Sequence, residues 1–413
     1  MLSPYRVLDL TTERGFLCGQ ILGDLGADVI KIEPPGGSSA RQLAPFFEDR
    51  ADPNRSIYWW AYNRNKRSIT LNLETDRGRE LLYRLVAGAR FLIESYDPGY
   101  LNERRLGYAD LAAHNRELIH VSITPFGQAG PKAAYADSDL VILAMGGPLL
   151  LYGDEDRAPV RLSVPQAYLH ACGDAAVGAL VANHECNRSG TGQHVDVSAQ
   201  QSVTLATQAN NLAYRLQADE SRRMAGGVKV GAMRVPLVWR AKDAFVTLVF
   251  LFGRQLGVFS QRLMNCLYEE KRCDIATRDK DWISYGALLA SGEEPMQEYE
   301  RVVGLIAGFL ASRTKAELFS LALERGLLIA PVATVGEVLA SPQLEARQYW
   351  RVLEHPELGR AFPYPGPFAR FSETPIIYRR RPPLVGEHNF EVYSRELRLS
   401  AEQIRDLAQR EIV

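Results

Sequence analysis

Three polar side chains in one long, alanine-rich stretch are spaced for chemistry. Gln166, His170 and Asp174 fall at i, i+4 and i+8, so on a helix they share a face. On that face Asp174 could orient His170 as a general base. The same spacing also suits a hydrogen-bonded polar stripe where two helices touch. Binding chemistry is suggested by two arginines. Arg41 follows the loop Pro34 to Ser39 (PPGGSS), and its planar fork can give two parallel hydrogen bonds to a ribose or a diphosphate. Arg105 carries the same fork, and either arginine alone also reads as a solvated surface residue. Metal chemistry is not indicated. His120, His184 and His194 lack ligand spacing, and none of the five cysteines forms a C-x-x-C pair.

The elements that must position these groups alternate. Arg6 to Leu10 (RVLDL) reads as a buried strand. Gly15 to Gly26 reads as a short helix with Phe16, Leu17, Ile21, Leu22 and Leu25 on its apolar side, and Asp28 to Glu33 as a second strand. Strand, short helix and strand in succession make a parallel βαβ unit, the opening of a doubly wound α/β sheet. The aromatic run Tyr58 to Tyr62 (YWWAY) reads as packing. Further strands are predicted at Ser68 to Leu73, Phe91 to Glu94 and Leu118 to Ser122, with a helix over Thr75 to Ala89. Ligands of such sheets bind beyond the carboxyl ends of the strands. The first turn, Thr11 to Gly15 (TTERG), has no G-x-G-x-x-G, which argues against a nicotinamide or flavin dinucleotide.

Val164 to Arg188 is predicted as a long helix with Pro165 in its first turn and Gly190 as its stop. Ala199 to Gln217 reads as a further helix. From about Ala225 the texture changes: Val235 to Trp239 and Phe245 to Phe250 flank a turn, a hairpin of the kind that opens a smaller domain. Helices are predicted at 254–268, 297–312 and 315–325, the last with a Thr314/Glu317 capping box and Gly326 as its stop.

At 413 residues the chain can form two domains with a sizeable core. Its 48 basic and 49 acidic residues nearly cancel, so no field points to nucleic acid or an anionic membrane. An odd number of cysteines suits a reduced cytoplasm. The N-terminus lacks a basic region followed by an apolar run, and no apolar stretch is long enough to span a bilayer. The chain reads as soluble and cytoplasmic.

RVLDL, LGDLGADVIKIEPPGG ahead of Arg41, NRNKRSITLNL at 63–73, GTGQHVDVS at 190–198 and PPLVGEH at 382–388 together resemble the family III CoA-transferases, the CaiB/BaiF family. The likeness runs over nearly the whole chain and is weakest at 225–320. It implies a large Rossmann-like domain built from both chain ends, 1–224 and 331–413, and a small α+β domain at 225–330. It also implies two chains threaded as interlocked rings. The CoA nucleotide and pantetheine are implied to lie against Glu13, Arg41, Leu71, the Ser95–Tyr96 turn and Arg105, with Ser138 and Gln166 in the substrate region. The wording departs from the family at Glu13, usually Gln; at Arg14 to Phe16, usually Ala-Gly-Pro; and at Glu74, which replaces a CoA-contacting lysine. Two extra residues precede Arg105. An acid in place of a base beside a polyanion weakens phosphate binding.

Members of the family use one aspartate as a nucleophile. Its carboxylate attacks an acyl-CoA thioester to give a mixed anhydride and CoA thiolate. The thiolate then returns to form an enzyme thioester that the acceptor acid resolves. Counted back from Gly190, the family register puts this aspartate's position at Ala167 or Tyr168. Asp174 lies about 9 Å further along the helix, too far to serve the same transition state. In the racemase branch the partner histidine's position falls at Ser138. The resemblance therefore implies a subunit of a CoA-transferase moving CoA between carboxylic acids, for instance from succinyl-CoA to a succinate-type or aromatic acid. This chain would be the non-catalytic partner of a sister chain that keeps the aspartate. The alternative is a self-sufficient homodimer, transferase or racemase-like, using His170 with Asp174. Coenzyme A enters as substrate, with no metal, nicotinamide or flavin. The partners implied are a sister subunit or a second copy, with no nucleic acid and no membrane.

Overall fold

A computed structural model describes residues 1–217, 222–230 and 233–413. They fall into two compact units: Met1–Pro148, Leu162–Ala209 and Gln343–Val413 form the first, Leu149–Arg161 and Asn210–Pro342 the second. The breaks differ from the expected 224 and 330, and the segment Leu149–Arg161 belongs to the second unit. Hydrogen bonds and ion pairs explain the last point. Arg223 donates to the Asp154 carbonyl at 2.7 Å, Arg234 approaches the Asp154 carboxylate at 3.7 Å, and Lys229 pairs with Glu155.

The first unit is built on a parallel sheet of β1 (Arg6–Leu10), β2 (Asp28–Glu33), β3 (Lys66–Thr70), β4 (Phe91–Glu94), β5 (Ile119–Thr124) and β6 (His194–Ser198), in the order β3-β2-β1-β4-β5-β6. Strands covered on both faces must be apolar on both, and Val7, Leu8 and Leu10 are all at most 1% exposed. The order reverses between β1 and β4, where a ligand crevice opens beyond the strand ends. The helices that matter here are α1 (Phe16–Asp24), α2 (Ile57–Tyr62), α3 (Asp76–Val86), α4 (Tyr108–Ala112), α5 (Asp139–Met145) and α6 (Ala167–Ser189). The chain's return completes this core. Val392, Tyr393, Ile404 and Leu407 pack with Leu8, Ile30 and Leu81, and the Tyr393 hydroxyl donates to the Thr70 carbonyl at 2.6 Å.

α6 starts at Ala167, later than the expected Val164, because its first turn is capped from elsewhere. The amides of Gln166 and Ala167 both donate to Asp139 Oδ1, at 2.6 and 2.8 Å. Pro165 precedes the helix. The buried flank of α6 is small, with Ala171, Ala175 and Ala179 unexposed. At Gly178 a Cβ would stand 2.9 Å from Val195 of β6, so the helix lies directly on the sheet. The stretch expected as one helix over 199–217 is two, α7 (Ala199–Thr204) and α8 (Gln208–Gln217), joined by a 3-10 turn at Leu205–Thr207.

In the second unit β7 (Gly227–Val230) pairs with β8 (Met233–Pro236), and their connection lies outside the described residues. The partner of β10 (Phe245–Leu248) is β9 (Val238–Arg240), with Phe245 opposite Arg240, so the first strand of the expected hairpin starts three residues later and ends one residue later than the predicted Val235 to Trp239. β11 (Ile329–Pro331) closes this sheet. Helices α9 (Gly253–Glu269), α10 (Met296–Ala311) and α11 (Lys315–Arg325) cover a core that includes Trp239, Phe250, Trp282 and Phe309. The Thr314/Glu317 capping box is formed, and Gly326 ends α11 in the left-handed region at φ +63°. Among the described residues no helix is long and apolar enough to cross a membrane.

Candidate functional site

Two concavities sit at the carboxyl end of the parallel sheet, both within the first unit. The first is a crevice of about 260 Å³ among Thr11, Thr12, Lys31, Leu71, Glu74 and Tyr96. Its floor is a buried charge cluster. Asp9, unexposed, accepts from Lys66 Nζ at 2.8 Å and from Lys31 Nζ at 3.3 Å. Burial alone would raise the Asp9 carboxyl, but Lys31 and Lys66 hold it below its ordinary range. A Cβ at Gly19 would stand 2.2 Å from Asp9 Oδ2, so α1 can pass this cluster only as glycine. The Thr12 amide donates to Ser95 Oγ at 2.8 Å, tying the first turn to the end of β4.

Arg41 lies under this crevice rather than in it. It is unexposed, and its fork closes on Glu33, Nε to Oε2 at 2.6 Å and Nη2 to Oε1 at 2.8 Å. Its other donors reach the carbonyls of Pro383 and Pro53 and the Asn54 side chain at 3.1, 3.2 and 3.3 Å. All five N–H groups are spent inside the protein, which replaces the expected ribose or diphosphate contact by a structural one. The guanidinium also stacks on Trp59 at 3.6 Å. Arg105 is exposed, with left-handed backbone at φ +57°; its amide donates to the Asn102 carbonyl at 3.0 Å and its carbonyl accepts from the Tyr83 hydroxyl at 2.6 Å. Its neighbour Arg104 faces the crevice rim instead and forks onto Glu74 at 2.9 and 3.0 Å. Hydrogen bonds from Arg104 and Tyr100 hold the Glu74 carboxyl below its usual range. Tyr96 stacks on Tyr100 with ring centroids 4.4 Å apart, and Arg104 lies 3.6 Å over Tyr100.

The second concavity, about 530 Å³, opens at the head of α6 among Glu13, Arg14, Asp137, Ser138, Asp139 and Tyr168, with Tyr58 and Tyr62 on its wall. Ala167 is buried and Tyr168 faces this space. The Tyr168 hydroxyl donates to Asp137, and Arg14 bonds the same carboxylate at 2.5 Å. Burial and the Asp137 charge raise the Tyr168 phenol. Arg14 also reaches the exposed Asp97 at 2.8 Å. Ser138 caps α5, its Oγ accepting from the Val141 amide at 3.2 Å. With one guanidinium against the carboxylates of Glu13, Asp137 and Asp139, the lining is net acidic.

The sequence-derived candidates thus separate. Leu71 and Tyr96 meet in the crevice, with buried Ser95 behind them; Glu13, Ser138 and Tyr168 meet in the pocket. Gln166 is half-buried and engages the Asp139 cap through its amide. His170 and Asp174 are exposed on α6, line neither concavity, and share no side-chain hydrogen bond among the described residues. The stripe they form is a solvent face within this chain. Arg14, Asp137 and Asp139 were not singled out from the sequence. Two acids bracketing Ser138 in Asp137-Ser-Asp139, and the unusual Arg14 in the first turn, are the signals that could have found them.

On the other side of the β4–loop segment, Glu94, His120, Ser122 and His194 line a further cavity of about 420 Å³. Burial pushes the Glu94 carboxyl up to about 7 and the His120 imidazole down to about 3, so both are neutral in mild acid. Glu94 Oε2 accepts the Tyr96 amide at 2.7 Å. No group of three or more His, Cys, Asp or Glu is placed to hold a metal ion among the described residues, and the five cysteines are free thiols.

Comparison with known proteins agrees with this architecture. The family model of CoA-transferase family III matches residues 2–389. The chain is 33% identical to the BbsE subunit of succinyl-CoA:(R)-benzylsuccinate CoA-transferase from Thauera aromatica, over 94% of this chain and 93% of that one. It is 30% identical to succinyl-CoA–D-citramalate CoA-transferase from Chloroflexus aurantiacus, over 100% and 98%. A CaiB/BaiF family protein from Brucella suis superposes with a TM-score of 0.79 at 28% identity, covering 95% of this chain and 98% of that one. A six-stranded parallel sheet in this order, joined to a family match that spans nearly all of the sequence, makes the chain a member of the family III CoA-transferases.

Proposed function

We propose that this chain is the non-catalytic subunit of a heteromeric family III CoA-transferase, paired with a sister chain that carries the nucleophilic aspartate. This reading is carried by the head of α6, where the family register, counted back from Gly190, falls at Ala167 or Tyr168 and offers no carboxylate. Of the carboxylates nearby, Asp137 is held by Arg14 and Tyr168 and Asp139 Oδ1 by the first amides of the helix, while Asp139 Oδ2 is buried without a hydrogen-bond partner among the described residues and Glu13 is exposed. A carboxylate whose lone pairs are held by a guanidinium and a phenol is a poor nucleophile. The net acidic lining also repels the carboxylate that an acid acceptor must bring. Similarity to the BbsE subunit supports an assembly of two different chains acting on succinyl-CoA and an aromatic succinate. In this reading the CoA nucleotide occupies the strand-end crevice.

The test is CoA exchange between succinyl-CoA and dicarboxylic or aromatic acids, assayed for the chain alone and after co-expression with its sister. Turnover only by the pair supports the proposal. Robust turnover by the pure chain contradicts it, and Asp137→Asn and His170→Ala then identify which residue supplies the chemistry.

A further inference from the structure

We propose that the strand-end crevice takes a nucleoside whose ribose carries no phosphate, so that the chain binds 3′-dephospho-CoA at least as tightly as CoA. This rests on the reading that the CoA nucleotide lies in this crevice, and adds what the crevice demands of it.

The argument is one of uncommitted charge. Lys31 is the one cation among the crevice's described lining residues, and it is 1% exposed. Its ammonium protons go to the carbonyls of Thr11 and Asp9 at 2.5 and 2.9 Å and to Asp9 Oδ1 at 3.3 Å. Arg41 beneath is closed on Glu33. At the rim the Arg104 fork is closed on Glu74, and its Nη1 on the Tyr100 carbonyl at 2.9 Å. Arg79, which also acts on Glu74, bonds the Leu73 carbonyl at 2.9 Å and pairs with Asp76.

A phosphate entering here gives up hydration and meets, among the described lining residues, no cation that lacks a carboxylate of its own. At the rim it also meets the exposed carboxylate of Glu74. A base and an unmodified sugar fare better, between the apolar Ile32 and Leu71 and the ring of Tyr96, with the Thr12 and Ser39 hydroxyl groups in the same lining. Glu74 decides the balance, because it both adds negative charge and holds Arg104. Its side chain is 59% exposed, so it can be changed without opening the core.

Isothermal titration of the purified full chain with CoA and with 3′-dephospho-CoA at one ionic strength tests this. The expected result is a dephospho-CoA affinity equal to or above that of CoA. Glu74→Lys, which reverses the rim charge and releases Arg104, is expected to turn the ratio about tenfold toward CoA. Wild-type protein binding CoA more than threefold tighter overturns the inference and leaves the crevice reading standing. An unchanged ratio in Glu74→Lys overturns the assignment to this residue. Absence of binding by either nucleotide overturns the crevice reading, and this inference with it.

Discussion

The Tyr168 hydroxyl and the Asp137 carboxylate are hydrogen-bonded at the head of α6, and Arg14 closes on that carboxylate from the first turn of the sheet at 2.5 Å. The aromatic residue that faces this pocket thus binds one of the pocket's three acids. Asp137 is 7% exposed at its side chain and Arg14 22%, so the pair is partly desolvated. Its members depend on one another.

Arg14→Ala is expected to cost about 1–3 kcal/mol, because it leaves a buried carboxylate without its cation. Asp137→Asn removes the charge and keeps an acceptor for Tyr168. The double variant is expected to be more stable than the sum of the single losses. A double-mutant cycle by urea unfolding measures this, and additive losses would contradict the coupling.

Arg41 is expected to act on stability first. Arg41→Ala leaves Glu33 buried without its cation, loses the contacts to Pro53, Asn54 and Pro383, and should cost about 3–5 kcal/mol. Urea unfolding checks it. A variant with unchanged midpoint but lost CoA binding would return Arg41 to the role of a ligand contact.

Glu94 gives a pH signature. Its carboxyl rises to about 7 in the fold from an ordinary 4.5, because burial disfavours the anion. The folded chain therefore holds a proton that the unfolded chain has released. This contribution is full below the ordinary carboxylate value and is lost as pH rises toward 7. The loss is on the order of 3 kcal/mol. Glu94→Gln stays neutral and should remove that slope. Unfolding free energies of both proteins from pH 4.5 to 8 decide it; parallel curves would contradict the assignment.

Asp139→Ala strips the cap from α6 and is expected to cost about 1 kcal/mol, while Asp139→Asn recovers most of it. Thermal unfolding of the three proteins measures the order. Equal midpoints would mean that the two short bonds to the helix amides contribute nothing.

What was legible in the sequence was local. The Thr314 and Glu317 pair and Gly326 bound α11 because capping and left-handed stops are decided within one helical turn. β1 and β2 follow from short apolar runs. Arg41 misled because its wording is local and its partners are not: Pro383 reaches it from the far end of the chain. The start of α6 was misplaced for the same reason, since Asp139 caps it from a separate segment. The hairpin of Arg351–His355 with Arg360–Tyr364 went unread; its turn around Gly359 is marked in sequence, but its strands are largely exposed and lack a clean alternation. The pocket could be placed but not populated, because Arg14, Asp137 and Tyr168 meet only through the fold.

The central claim concerns which chain is covalently loaded. The co-expressed pair is incubated with succinyl-CoA, trapped with hydroxylamine or borohydride, and each chain is weighed by mass spectrometry. The account predicts an adduct on an aspartate of the sister chain and an unmodified mass for this one. A trapped adduct on this chain, at Asp137 or any other carboxylate, would contradict it.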